Sequence, residues 1–435
     1  MSFLTNPAII SVVLLCVLCL KKVNVLLAII VSTLAAGLLS GMDIKHVMDV
    51  FISGMGGNSE TALSYILLGA FAATMAHSGF TNKLAGWITK IISGRKWILF
   101  LILALIAMAS QNIVPIHIAF IPIIIPPLLS TMNALNIDRR AVASVLAFGL
   151  KMPYITIPVG FGLIFQNLIA DNLIQNGVNI AREDIWKSTL ILGIGMIAAL
   201  LVSLLITYRK PRHYENKPLS FTVDSNTECS KYTIWIVALA AILTFVVQLI
   251  THSLPLGALV GLGVIFSFKV IPQNKMDHMM NEGIYLMGYV AFVMLVAAGF
   301  ASVLKESGAI ETLVNNALAI MPENILLTSL LILILGLFIT IGIGTSFGTI
   351  PILAVLFVPI CAKMGFNVNQ IVVLIAAAAA LGDAGSPASD TTLGPTSGLN
   401  ADGQHNHIFD TCIPTFLHYN IALILFALLG IWLLG

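Results

Sequence analysis

Apolar runs of about 18 to 22 residues recur from one end of this chain to the other, and each is long enough to cross ~30 Å of hydrocarbon. The polar stretches between them are short, so no large soluble domain fits between the runs. Only 9% of the 435 residues are charged, against roughly a quarter in soluble domains. An all-α integral membrane protein is the fold class that follows. The first run, NPAIISVVLLCVLCL, has neither a basic leader nor a small-residue cleavage site, and reads as a retained helix. A net charge of +2 with no basic stripe argues against nucleic acid as a partner. Cys16 and Cys19 form a CxxC inside an apolar run without a second pair, which suits packing better than metal or redox chemistry.

The chain repeats itself. GAFAATMAHSG (69–79) aligns with AGFASVLKESG (298–308), pairing Phe71 with Phe300 and Gly79 with Gly308. HVMDVFISGMG (46–56) aligns with HMMNEGIYLMG (278–288), IWKSTLI (185–191) resembles IFDTCIP (408–414), and Gly149 falls opposite Gly382. The reading is a first repeat over 1–210, a cytoplasmic linker over 211–230 and a second repeat over 231–435.

Lysine and arginine collect in short cytoplasmic loops. The groups Lys21 and Lys22, Lys83 to Lys96, Arg139 and Arg140, and Arg209 to Lys217 all fall inside if each half makes five crossings. In that arrangement residues 97–134 and about 324–363 form re-entrant hairpins. An odd number of crossings inverts the second half and leaves both termini extracytoplasmic. Inverted repeats with broken helices near the midplane are the sequence signature of secondary transporters.

Each half carries one hairpin tip and one broken helix. In MASQNIVPIHIAF the polar residues Ser110, Gln111, Asn112 and His117 interrupt apolar chain; in ITIGIGTSFGTIPIL they are Thr345, Ser346 and Thr349. Irregular backbone at membrane depth persists only where protein or water satisfies it. In FGLKMPYITIPVGFG (148–162) and LGDAGSPASDTTLGPTSG (381–398) prolines and glycines unwind the helix. Unwinding frees carbonyl oxygens for a sodium ion and half-helix N-termini for an anion. Asp383 and Asp390, with Ser386, Ser389 and Thr391 beside them, and Lys151 in the other break, are charges and hydroxyls the bilayer should not contain unless they work or pair. Lys151 lies almost opposite Asp383 in the repeat alignment, and a pair across the pseudo-twofold axis is expected. The candidate sodium ligands are Ser110, Asn112, Thr345, Ser346, Asp383 and Asp390. His77 reads as a surface residue at a helix end, and His405 and His407 as members of a solvated cytoplasmic loop. Lys305 and Glu306 read as exposed, and Asp43, Asp49, Asp171 and Asp184 as parts of interfacial connectors.

GTSFGT, GDAGSPASDTTLGP and the later TFLHYN resemble the NhaC-like sodium/proton antiporter family of the ion-transporter superfamily, and SQNIVPIHIAF matches the family's first hairpin more loosely. The likeness covers essentially the whole chain. It implies an elevator-type transporter, in which the hairpins and broken helices make a mobile body on a scaffold that usually dimerises. It also implies a bacterial-type inner membrane, with lipid as surroundings and Na+ or H+ as coupling ions in place of any cofactor.

Two functional readings follow. In the first, Na+ and H+ compete for the carboxylates of Asp383 and Asp390, and that competition gives antiport. In the second, Na+ or H+ drives an amino acid or carboxylate, which Lys151 and the half-helix N-termini hold by its carboxylate. An intramembrane aspartyl protease would place its two acids on separate helices. Here both sit in one segment, and a transporter, not an enzyme, is expected. A channel needs no pair of opposed hairpins.

Overall fold

The computed structural model describes residues 5–92, 94–112, 117–217, 230–251, 253–318 and 322–435. Among these residues the chain is helical and contains no strand. Six helices are long and apolar enough to cross a membrane, or seven if a pair bent by 47° counts as one span, and shorter apolar helices accompany them. The protein is a multi-pass membrane protein.

In chain order, α1 (Pro7–Leu20) and α2 (Val25–Leu39) pack together, followed by α3 (Ile44–Gly54), α4 (Ser59–His77) and α5 (Phe80–Ile92). Asparagine caps start the first two helices, with Asn6 accepting from Ala8 N and Asn24 from Leu26 N. α3 buries only Val47 and Phe51, as an interfacial helix would. The first tip lies between α6 (Lys96–Asn112) and α7 (Ile121–Ala134), and the first broken helix is α8 (Arg139–Thr156) with α9 (Phe161–Gln175). α10 (Ile185–Val202) closes this half.

The second half runs through α11 (Lys231–Thr251), α12 (Leu254–Ser267), α13 (Met276–Glu306) and α14 (Ala309–Leu318). α15 (Ile325–Ile343) and α16 (Ser346–Lys363) flank the second tip, and α17 (Val368–Ala380) and α18 (Asp390–Leu399) form the second broken helix. A C-terminal helix spans His407–Leu433.

Two sets of contacts stand out, with α13 also packing on α15 and α18. α4, α11, α12 and α13 share one apolar cluster around Phe71, Leu262 and Met279. The hairpins and broken helices interlock in the other: α6 lies on α8, α7 on α18, α15 on α17, and α16 on both α9 and α17. Each hairpin therefore touches a broken helix through both of its arms.

Fully buried Arg139 clamps one end of this second group. It donates to both oxygens of Asp402 at 2.6 Å, to Leu399 O at 2.9 Å and to Asn133 Oδ1 at 3.0 Å. Burial raises the Asp402 pKa, but the Arg139 hydrogen bonds and charge outweigh it and hold the carboxyl below its usual range. The start of the expected linker lies across this clamp. Arg212 pairs with Asp410 at 2.8 Å, and Glu215 O accepts from Asn133 and Gln404. Residues 218–229 lie outside the described residues.

Candidate functional site

The second break is built around Asp383. Leu381, extended at ψ 144°, ends α17, and Ser389 starts α18 by accepting from Thr391 N at 3.1 Å. The hydroxyls between them satisfy the opened backbone, with Thr391 Oγ1 donating to Asp383 O at 3.1 Å and Thr392 Oγ1 reaching Ser386 O at 2.6 Å. Asn420, from the C-terminal helix, accepts from Gly382 N and donates to Ala384 O.

Lys151 Nζ lies 2.9 Å from Asp383 Oδ2, the contact the sequence leads one to expect. Lysine is fully buried, so it does not snorkel to an interface. Oδ2 also accepts from Tyr154 at 3.0 Å and Ser346 at 2.9 Å, while Oδ1 accepts from Ser389. This carboxylate is surrounded by donors on both oxygens. Three of the four donors crowd Oδ2, and Oδ1 accepts from Ser389 alone.

Asp390 stands at the N-terminus of α18, and the Ser389 hydroxyl lies 3.4 Å from its Oδ1 while bonded to Asp383. Both carboxylates open on a cavity of about 570 Å³. Thr345 and Phe347 reach it from the second tip, Tyr154, Gly160 and Phe161 from the first break, and Tyr65, Asn58 and Glu60 from α4 and its lead-in. Phe347 packs edge-on against Phe165 and tilted on Tyr154, with ring centroids 5.6 Å away in each case. A second cavity, of about 310 Å³, lies further along α18, lined by Thr396, Asn400 and His407 and by Tyr285 and Tyr289 of α13.

The sequence candidates divide. Lys151, Ser346, Asp383 and Ser389 meet in one network, and Thr345, Asp390 and Thr391 line the cavity beside it. Thr349 instead bonds Thr345 O, Ser110 bonds Ala107 O, and Ser386 accepts from Ala388 N, all local backbone contacts. Asn112 points into the first break, its Nδ2 3.3 Å from Pro153 O and 3.5 Å from Ile157 O. Its buried Oδ1 has no hydrogen-bond partner among the described residues. The side chains of Gln111 and His117 lie outside the described residues.

His405 and His407 do not lie in a solvated loop. His405 is 3% exposed, with Nε2 2.7 Å from Thr411 Oγ1. His407 Nε2 donates to Pro387 O at 2.9 Å, and Nδ1 lies 2.8 Å from Thr396 Oγ1. The chain after α18 folds back under the break, where Asn406 accepts from Phe409 N and starts the C-terminal helix. Tyr154 and Asn420 escaped the sequence reading. Tyr154 lies three residues beyond Lys151 and so on the same helix face, and Asn420 belongs to the quoted TFLHYN.

Sequence comparison places the chain among transporters. A Vibrio parahaemolyticus protein named "Uncharacterized membrane protein VP2115" is 45% identical over 432 residues, 97% of this chain and 98% of that one. A Bacillus subtilis protein named "Putative amino acid transporter YuiF" is 44% identical over 439 residues, with the same coverage of each. The structure of the Alcanivorax borkumensis YdaH transporter gives a TM-score of 0.45 at 14% identity, covering 90% of this chain and 88% of that one, too loose to argue from. One Na+-H+ antiporter family matches residues 6–92. Another, the Na+/H+ antiporter family, matches residues 145–431, well over half the sequence, and the chain belongs to it.

Proposed function

We propose that the protein is a cation-coupled secondary transporter whose cargo is an amino acid or a solute of that size. The observation that carries this reading is the cavity of about 570 Å³ that opens on Asp383 and Asp390. It falls within the ~300–1,000 Å³ of small-molecule pockets and far exceeds the oxygen shell of a bare alkali cation. Its aromatic wall of Tyr154, Phe161 and Phe347 offers apolar surface that a side chain can use and a sodium ion cannot. Asp390 takes the amino group. The N-terminus of α16 at the second tip offers its positive end to the carboxylate. The name of the Bacillus relative agrees with an amino acid cargo.

A second reading, Na+/H+ antiport, is favoured by the Lys151–Asp383 pair. Two cations cannot share one carboxylate cheaply. An arriving Na+ displaces the Lys151 ammonium or drives off its proton, and exchange follows. In either reading Thr345, Ser346 and Asn112 Oδ1, which has no hydrogen-bond partner among the described residues, are the neutral oxygens for sodium.

The wider mechanism rests on the two packing groups. The halves 1–210 and 231–435 act as inverted repeats of five crossings each, in an inner membrane, with both termini outside. The hairpins and broken helices move as one body past the α4, α11, α12 and α13 group, in a homodimer. The cavities near the two ends of α18 serve alternate faces.

Purified protein in sealed liposomes with an internal pH dye decides between the readings. Uptake of labelled amino acids driven by a Na+ or pH gradient supports the first. Proton movement on alkali-cation pulses alone, with no response to any amino acid, replaces it with the second.

A further inference from the structure

Far from Asp383, at the end of α4, three side chains of metal-ligating type meet. His77 is the last residue of α4, and His278 and Glu282 lie one turn apart on the first turns of α13, on a shared face. Glu282 Oε2 lies 2.8 Å from His77 Nε2, and Oε1 lies 3.2 Å from His278 Nε2. All three ligand atoms fall within 4.8 Å of one another. Close backbone contact between the two helices holds this geometry. A methyl added at Gly69 would stand 2.6 Å from Gly283 O, and one at Gly283 would strike Ala70 N.

We propose that His77, His278 and Glu282 form a binding site for a divalent transition metal of zinc-like chemistry, tying the end of α4 to α13. Two imidazoles and one carboxylate are the donor set of many zinc sites, which place their ligands at ~2.0–2.2 Å. Tetrahedral donors at that radius stand roughly 3.4 Å apart, so the two carboxylate–imidazole contacts open by a few tenths of an ångström and the remaining spacing, within 4.8 Å, closes toward that value. Each imidazole enters by moving its proton from Nε2 to Nδ1, which frees the Nε2 lone pair facing the carboxylate. The approach is open, because the His278 side chain is 60% exposed while His77 and Glu282 are 17% and 19% exposed. A water completes the fourth position. The site shares no residue with the cavity network, so it stands whatever the cargo proves to be.

The test is zinc binding by full-length, tag-free protein in detergent, titrated against a chromophoric chelator. Wild type is expected to hold one equivalent per chain. His278→Ala, at an exposed position that the fold does not need, is expected to weaken binding at least tenfold, as is His77→Ala. Glu282→Gln is expected to weaken it less. Cobalt(II) in place of zinc is expected to give the visible absorption of a tetrahedral site in wild type alone. Zinc affinity and cobalt spectrum that are the same in wild type and in the His77→Ala/His278→Ala double variant would overturn the site.

Discussion

The two broken helices solve one problem in different ways. The first break, between α8 and α9, is short, and a side chain from the neighbouring hairpin, Asn112, caps its carbonyls. The second, between α17 and α18, is longer and carries its own partners, with Ser389, Thr391 and Thr392 bonding within it and Asn420 closing it from the C-terminal helix. The first supplies a cation on a helix, the second an anion in a loop. A lysine on a long stem needs only a helical perch. A carboxylate that must be desolvated needs converging hydroxyls, and a loop can aim them.

If that contrast is right, the largest effects come from the charges. Asp383→Asn is expected to abolish transport and to cost about 3–5 kcal/mol of stability, because it strands a buried ammonium. Adding Lys151→Met should restore most of the melting temperature in detergent and none of the uptake. A double variant no more stable than Asp383→Asn would mean that the pair is not what the second break is built around.

Backbone changes come next. Gly160 and Gly385 have φ of 59° and 92°, where side chains are strained, and a methyl on either would strike Asn112 or Phe416. Each alanine variant is expected to cost about 1–3 kcal/mol for the conformation alone. Gly385→Ala should cost more stability, since Phe416 sits on a packed helix. Equal melting temperatures for the two would erase the distinction between a break with its own partners and one that borrows them.

The capping amides are worth about 1 kcal/mol per lost bond. Asn420→Ala should lower the melting temperature with little change in transport rate. Asn112→Ala should do the reverse, because its cap comes from a hairpin that is proposed to move. Initial uptake rates and thermal melts of both variants test this crossing of effects.

A separate, pH-dependent effect concerns the footing of the second break. Burial, with the nearby charges of Arg139, His407 and Arg212 and against the opposing pull of Asp410, pushes the His405 pKa down from 6.5 to about 3. The unfolded chain then binds a proton that the folded chain refuses between those values, so stability falls as pH drops through that window. His405→Gln is expected to flatten this part of a pH series of thermal melts.

Much of this architecture can be read from residues alone, since glycine and proline in apolar chain mark both breaks and both tips. The Lys151–Asp383 contact is legible because both charges fall in interrupted apolar segments that lie almost opposite one another when the two halves of the sequence are aligned. What stays hidden is which polar side chains turn inward. Ser110, Ser386 and Thr349 look like ligands by type, yet their hydroxyls serve nearby backbone. Arg139 reads as a marker of the cytoplasmic side, while the fold buries it against Asp402, 263 residues away. No local pattern announces a partner at such range. His405 and His407 follow the same rule, since a polar segment looks the same whether it enters water or folds back under a helix.

The Lys151–Asp383 contact has a further consequence for how the chain is made. The two residues are 232 positions apart, and at ~5–20 residues per second synthesis of the intervening chain takes about 10–50 seconds. Throughout that interval the ribosome has delivered the ammonium but not its carboxylate. A lone charge in hydrocarbon is costly, so α8 is expected to settle at its final level only once the second half is made. Stable insertion of the first half is therefore expected to depend on the later half, which supplies the counter-charge.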